Sequence, residues 1–278
     1  MALIDDEGKV LIGRTVAAGF DWLTDAAGAF FDGLEEVLSH VIDGVLAGLQ
    51  YPPALVWVAL FAALTWLLQR DWQRVAIVVA CLLLVINQGY WEETTESLTL
   101  ILFAGLFCMG VGVPIGIYAA HHPRFYAGIL PVLDMMQTIP TFVYLIPMIV
   151  LFGIGMVPGL VATFIFVLPA PIRLTQLGVS QVPTALIEAA RAFGATPRQT
   201  LWKVELPYAF PQIMTGLNQT IMLSLSMVVI AGMVGADGLG VPVVRALNTV
   251  NAPLGFESGI VIVAVAIALD RMLRVERA

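Results

Sequence analysis

Few side chains in this sequence have the type and spacing for covalent chemistry. Cys81 and Cys108 both stand inside apolar runs, and no metal-ligand spacing surrounds them. They read as small buried apolar groups. His121 and His122 flank a turn and read as solvated side chains. The glycine-rich stretch "VGADGLG" at 234–240 is not followed by the Gly-Lys-Ser or Gly-Lys-Thr of a phosphate-binding loop. No motif pairs a nucleophile with a base, so enzyme activity in this chain is not expected, and neither is a metal or a bound nucleotide. One block stands apart. "EAARAFGATPRQTLWKVELP", Glu188 to Pro207, is charged and polar between two apolar runs. Its chemistry suits docking.

That block predicts a helix, a turn and a second helix. Pro183 and Thr184 open the first helix, and Ala185 to Ala192 are mostly strong helix formers. Gly194 falls just past its end, where a left-handed backbone is needed. Thr196 can cap the second helix, with Pro197 as its first residue and Gln199 completing a Thr-x-x-Gln capping box. Pro207 is expected at the far boundary of that helix. Leu201 and Trp202 are expected to anchor it back on the rest of the protein. Ala189 and Ala190 let a partner backbone approach closely, and Glu188 and Arg191 supply a charged rim.

The pattern Glu188-Ala189-Ala190, Gly194, Val204, Leu206, Pro207 resembles the EAA loop of ABC importer permeases, with Val204 where the family prefers Ile. In that family the elbow is the coupling helix that seats on a cytoplasmic ATPase subunit. Further stretches are similar to the glycine betaine, proline and choline uptake branch: "LDMMQTIPTFVYLIPMIVLFGIGMVPG", "FVLPAPIRLTQLGVSQVP", "LNQTIMLSLSMVVIAGMVGADGLG" and "ALDR". The acidic "AFFDGLEEVLSHVIDGVLAGL" resembles that branch as well. The resemblance implies a type I importer fold, a second permease copy as a homodimer, two ATPase subunits that use ATP and Mg, and an extracytoplasmic binding protein.

The elements that must position this elbow follow from composition. Of 278 residues, 59% are hydrophobic and 12% charged, and the mean hydropathy is +0.92. Soluble domains carry about a quarter charged residues, so the bilayer is the expected solvent. The net charge of -7 argues against a nucleic-acid partner. The acidic start, "MALIDDEGKV", has no basic n-region, so a cleaved signal peptide is not expected. From Phe30 to Leu49 apolar residues recur at helical spacing between Asp32, Glu35, Glu36, His40 and Asp43. This predicts an amphipathic helix that lies on the membrane or on protein. Apolar spans follow at 54–68, 75–91, 98–119, 130–152, 159–181, 212–236 and 256–271. The fold class is therefore all-α, a polytopic membrane protein with about seven spans. Its expected organisation is an interfacial segment at 1–53, two accessory helices at 54–93, and a permease domain at 94–273 carrying the coupling loop 183–207.

Orientation follows from basic residues. With the loop after the fifth span inside, Arg70, Arg74, Arg124, Arg173, Arg191, Arg198, Lys203, Arg271, Arg274 and Arg277 are cytoplasmic. Only Lys9, Arg14 and Arg245 are outside. The N-terminus is expected outside, the C-terminus inside, and the acidic loop "NQGYWEETTES" outside.

Inside the spans, Asp134 is costly at membrane depth. Gln137, Thr138 and Asn218 either bond between helices or face a solute. Arg173 is expected to be paired or snorkelling. Tyr90, Trp91, Phe142 and Tyr144 form no ordered cage that could be read as a quaternary ammonium site. The sequon "NQT" at 218–220 lies inside a span. The function that the resemblance implies is ATP-driven import of glycine betaine, choline or proline betaine across the inner membrane, with histidine or carnitine as alternative solutes. An ion-driven secondary transporter would need intramembrane ionisable residues and repeated halves. A membrane-embedded enzyme would need a His, Asp or Glu cluster within the spans.

Overall fold

The structure, a computed structural model, describes residues 12–273. Lys9, Arg274 and Arg277 lie outside the described residues, as does the Arg14 side chain. Every regular element described is helical. They are α1 (Ile12–Gln50), α2 (Ala54–Gln69), α3 (Trp72–Asn87), α4 (Trp91–His121), α5 (Pro123–Thr138), α6 (Thr141–Phe152), α7 (Met156–Val167), α8 (Pro169–Ser180), α9 (Thr184–Ala192), α10 (Pro197–Thr200), α11 (Leu206–Ala231), α12 (Gly240–Thr249) and α13 (Ala252–Leu273).

The spans differ from a simple series of seven. Among the described residues, four unbroken stretches are long and apolar enough to cross a membrane, or up to six when each bent pair counts as one span. The stretch expected at 130–152 is two helices, α5 and α6, bent by 93°. Ile139 takes extended backbone before Pro140, because the proline ring disfavours helix at the preceding residue. Pro52 and Pro53 likewise separate α1 from α2, which are bent by 94°. The regions at 54–68 and 75–91 become α2 and α3, of 16 residues each.

The centre of the bundle is a close-packed trio of α4, α8 and α11. A β-carbon on Gly116 would stand 2.6 Å from Thr175 Cβ, and one on Gly112 would stand 2.7 Å from Pro171 Cγ. The Gly-x-x-x-Gly face of α4 thus lets α8 touch its backbone. On its other side, α8 meets α11 equally closely. A β-carbon on Gly178 would come within 2.8 Å of Gln212 Cβ and 3.2 Å of Ala209 Cβ. Asn218 also bonds between helices, its Nδ2 donating to Asp270 Oδ1 on α13 at 3.0 Å.

The second half of α1 rests on protein. Ile42 is buried with Phe103 and Ala104 of α4 and with Val157 and Leu160 of α7. Phe31 meets Phe152 of α6 edge-on at 5.5 Å. Gln50 Nε2 donates to Thr95 Oγ1 at 3.1 Å.

Candidate functional site: a projecting elbow

The elbow is built by the local signals in its sequence. After α9 the chain closes in a Schellman turn. Ala195 N donates to Ala190 O at 3.0 Å, and Gly194 N donates to Arg191 O at 2.9 Å. Gly194 takes φ +79°, the left-handed backbone that side chains disfavour. Thr196 then caps α10 in both directions. Its backbone N–H donates to Gln199 Oε1 at 2.8 Å, and its Oγ1 accepts from Gln199 N at 3.3 Å.

Beyond α10 the structure departs from the reading of a second, separate helix. Residues 197–234 run as one span-length helix, and Pro207 lies within it rather than at its boundary. The accommodation is a π turn over Leu201–Glu205, where Leu206 N–H bonds to Leu201 O. A proline ring clashes with the carbonyl four residues back and offers no N–H. The wider turn, with its five-residue step, makes room for it. The elbow is therefore rigidly continuous with α11, and α9 is joined to α8 through the short turn at 181–183.

The surface of the elbow is open. No residue of α9 is buried. Glu188, Ala189 and Arg191 are exposed and Ala190 is half-buried. The expected anchoring by Trp202 is not found: it is 63% exposed, and Phe193 is 93% exposed. Leu201 and Val204 are half-buried. Two large exposed aromatic side chains, Phe193 after α9 and Trp202 on the π turn, are the feature of an interaction surface. The sequence reading passed over Phe193, which the helix-ending Gly194 places at the tip of the turn.

The root of the elbow carries a second feature that spacing could not show. Glu205 is buried, and its Oε2 lies 2.8 Å from His121 Nε2 at the end of α4. His121 Nδ1 lies 2.9 Å from Ile117 O. A carbonyl only accepts, so Nδ1 carries hydrogen, and Nε2 and Glu205 share a further proton. This bond pins the elbow to α4 across 84 residues of sequence.

Of the other singled-out residues, Asp134 accepts from Arg173 Nη2 at 2.7 Å, joining α5 to α8. The Asp134 side chain is 56% exposed. Gln137 and Thr138 are exposed one turn further along α5. They make no bond between helices among the described residues: Thr138 Oγ1 donates only to Met135 O. No group of three or more His, Cys, Asp or Glu that could hold a metal is present among the described residues.

The far end of the bundle is different. Helix α4 has 31 residues, which places its first turn about 46 Å from the His121 end. There a cavity of about 370 Å³ is lined by Glu92, Glu93, Glu96, Asp237 and Glu257, with Arg245 and Tyr90 beside them. Burial and the neighbouring Glu257 push the Tyr90 phenol above its ordinary range. Ser97 Oγ accepts from Leu239 N at 2.9 Å, tying the loop after α11 to α4.

Residues 112–274 match the family described as "Binding-protein-dependent transport system inner membrane component". The glycine betaine transport system permease protein OpuAB of Bacillus subtilis is 46% identical over 91% of this chain and 89% of its own length. The glycine betaine/proline betaine permease protein ProW of Escherichia coli is 46% identical over 97% of this chain and 77% of its own. Among solved structures, an inward-facing form of the MetNI methionine ABC transporter matches with a TM-score of 0.56 and 28% identity, over 64% of this chain and 92% of that one. The elbow, the kinked spans and these likenesses agree, and the chain belongs to the binding-protein-dependent inner membrane components as a multi-pass permease of the ABC importer type.

Proposed function

We propose that this chain imports a quaternary ammonium compatible solute, glycine betaine or proline betaine above all, as one of two permease copies. The observation that carries the coupling part is the exposed elbow. Its Schellman turn, capping box and aromatic tip form a rigid convex knuckle on α8 and α11, shaped to sit in a groove of an ATPase subunit. In this reading Glu188, Ala189, Ala190, Arg191 and Gly194 meet the ATPase. Val204, Leu206 and Pro207 fix the elbow to the span. ATP and Mg are turned over by the partner, and this chain supplies two packing states of one bundle. Supporting the solute class are the names of the relatives, which include a glycine betaine/carnitine permease of Listeria monocytogenes at 45% identity.

The elbow end faces the cytoplasm. Arg70, Arg74, Arg124 and Arg271 share that end with the elbow's own cations, as the positive-inside rule asks. The acidic cavity then opens outside and receives the binding protein. The exposed face of α5 with Asp134, Gln137 and Thr138 lines the solute path. A half-exposed ion pair at spanning depth is costly against hydrocarbon, so this face stands against water or the second copy.

The experiment is uptake of labelled glycine betaine by vesicles holding the assembled transporter, with Gly194→Asp in this chain. Membrane levels are expected to match wild type while ATP-dependent uptake is lost. Uptake at the wild-type rate would remove the coupling role.

A further inference from the structure

A second large surface feature lies away from both ends. Helices α2, α4, α11 and α13, with Leu49 at the end of α1, line an open groove of about 810 Å³. Its walls include Phe61, Leu102, Leu106, Met109, Ile221 and Met272, and every lining residue is apolar, glycine or proline. Along α4 it runs from Leu98 to Pro114, about 24 Å of helix. That is most of a hydrocarbon core of about 30 Å. Water has no polar partner there, and an empty groove would forfeit its dispersion contacts.

Charge collects at one end of this groove. Gln69 Nε2 donates to Met272 O at 2.8 Å, which holds the α2–α3 turn against the groove's lower wall. That turn and the end of α13 carry Arg70, Arg74 and Arg271. Trp66 and Trp72 are exposed beside them, ring centroids 6.1 Å apart. The nearby carboxylates are engaged: Asp71 pairs with Arg74 at 3.3 Å, and Asp270 accepts from Asn218. Arg70 is exposed and Arg271 half-buried. Interfacial tryptophans with arginines at the end of an apolar trough match a phospholipid, chain and headgroup together. The other open face of the bundle, with Asp134 and Gln137, is polar and fits water or protein. Nothing polar in the groove asks for either.

We propose that this groove is a phospholipid site: an acyl chain lies along α4, and an anionic headgroup rests on Arg70 and Arg271. The test uses the purified full-length transporter in detergent with equimolar phosphatidylglycerol and phosphatidylcholine, read by native mass spectrometry. Wild type is expected to retain phosphatidylglycerol. β-Carbons on Gly105 and Gly110 meet only open space. Both glycines line the groove, so Gly105→Leu with Gly110→Leu puts two leucine side chains into it, and this variant is expected to lose the lipid. Gly128→Leu on α5, equally open, is expected to keep it. Arg70→Gln with Arg271→Gln is expected to retain a lipid but lose headgroup preference by about fivefold per arginine, the effect of one cation near an anionic surface.

Equal retention by the plugged variant, or equal loss in Gly128→Leu, overturns the site. So does a disulfide between two copies of Met109→Cys, which would mean that the second copy covers the groove. Wild-type protein with phosphatidylglycerol bearing a diazirine on its acyl chain gives a reading that needs no variant. Crosslinks to residues 98–114 support the site, and their absence overturns it.

Discussion

The two ends of the bundle are built on opposite plans. The elbow end is convex, locally determined and cationic: Arg191, Arg198 and Lys203 stand exposed around Phe193 and Trp202. The far end is concave, assembled from α4, α12, α13 and the loop after α11, and lined by five carboxylates and one arginine. Yet the same helices run through both. Packing between α8 and α11 has little slack, because Gly178 on one helix and Gly216 on the other bring the two backbones together. A displacement of the elbow is thus passed up the bundle as rigid movement. A projecting knuckle can be pushed by a partner, whereas a hollow can only receive one.

The strongest way to break this comparison is to separate the ends mechanically. Gly178→Leu should wedge α8 from α11, lower the thermal stability of the permease by about 1–3 kcal/mol, and abolish uptake. Uptake that survives would mean that the ends are not joined through this contact. Next in size is Phe193→Ala. The side chain is almost fully exposed, so melting should not move, while affinity for the ATPase subunit should fall by about 2 kcal/mol if this is an interface anchor. Unchanged pull-down of the ATPase would strip the tip of its role.

Glu205→Ala sharpens the comparison, since it cuts the elbow's tie to α4 but leaves its surface alone. Losing a buried partner should cost about 1–3 kcal/mol, seen as earlier unfolding, with Glu205→Gln recovering part of the loss. The smallest effect is expected at the far end. Glu92→Gln should leave stability within about 0.5 kcal/mol and change only the salt dependence of stimulation by the binding protein. A loss of basal ATPase coupling in that variant would show that the two ends are not separable.

The difference between the ends also explains what the sequence disclosed. The elbow was legible because its determinants lie within a few residues of one another: Gly194 after a helix, Thr196 three before Gln199. The acidic cavity was not, because Glu92 and Glu257 meet only once α4 and α13 have packed. The Glu205–His121 bond fails for the same reason. Hydropathy found the apolar segments but not their directions, so a run that bends by 93° at Pro140 read as one span. Trp202 was misread because apolar character predicts burial, and in a subunit the burying surface can belong to another chain. For Asn218 the sequence left two readings open, and the structure gives it a partner on a neighbouring helix, Asp270.

The π turn at Leu201–Glu205 sets the phase between elbow and span. An α-helix advances about 100° per residue, and a π turn holds one residue more than an α turn would. The span can therefore point Ala209, Gly216 and Thr220 inward while the turns before it leave Trp202 looking out. Inserting one more residue there, with the slack of the π turn already used, would act like a slipped tooth in a gear. Every contact of the elbow would remain intact in itself, yet it would be aimed a quarter-turn away from the surface it serves.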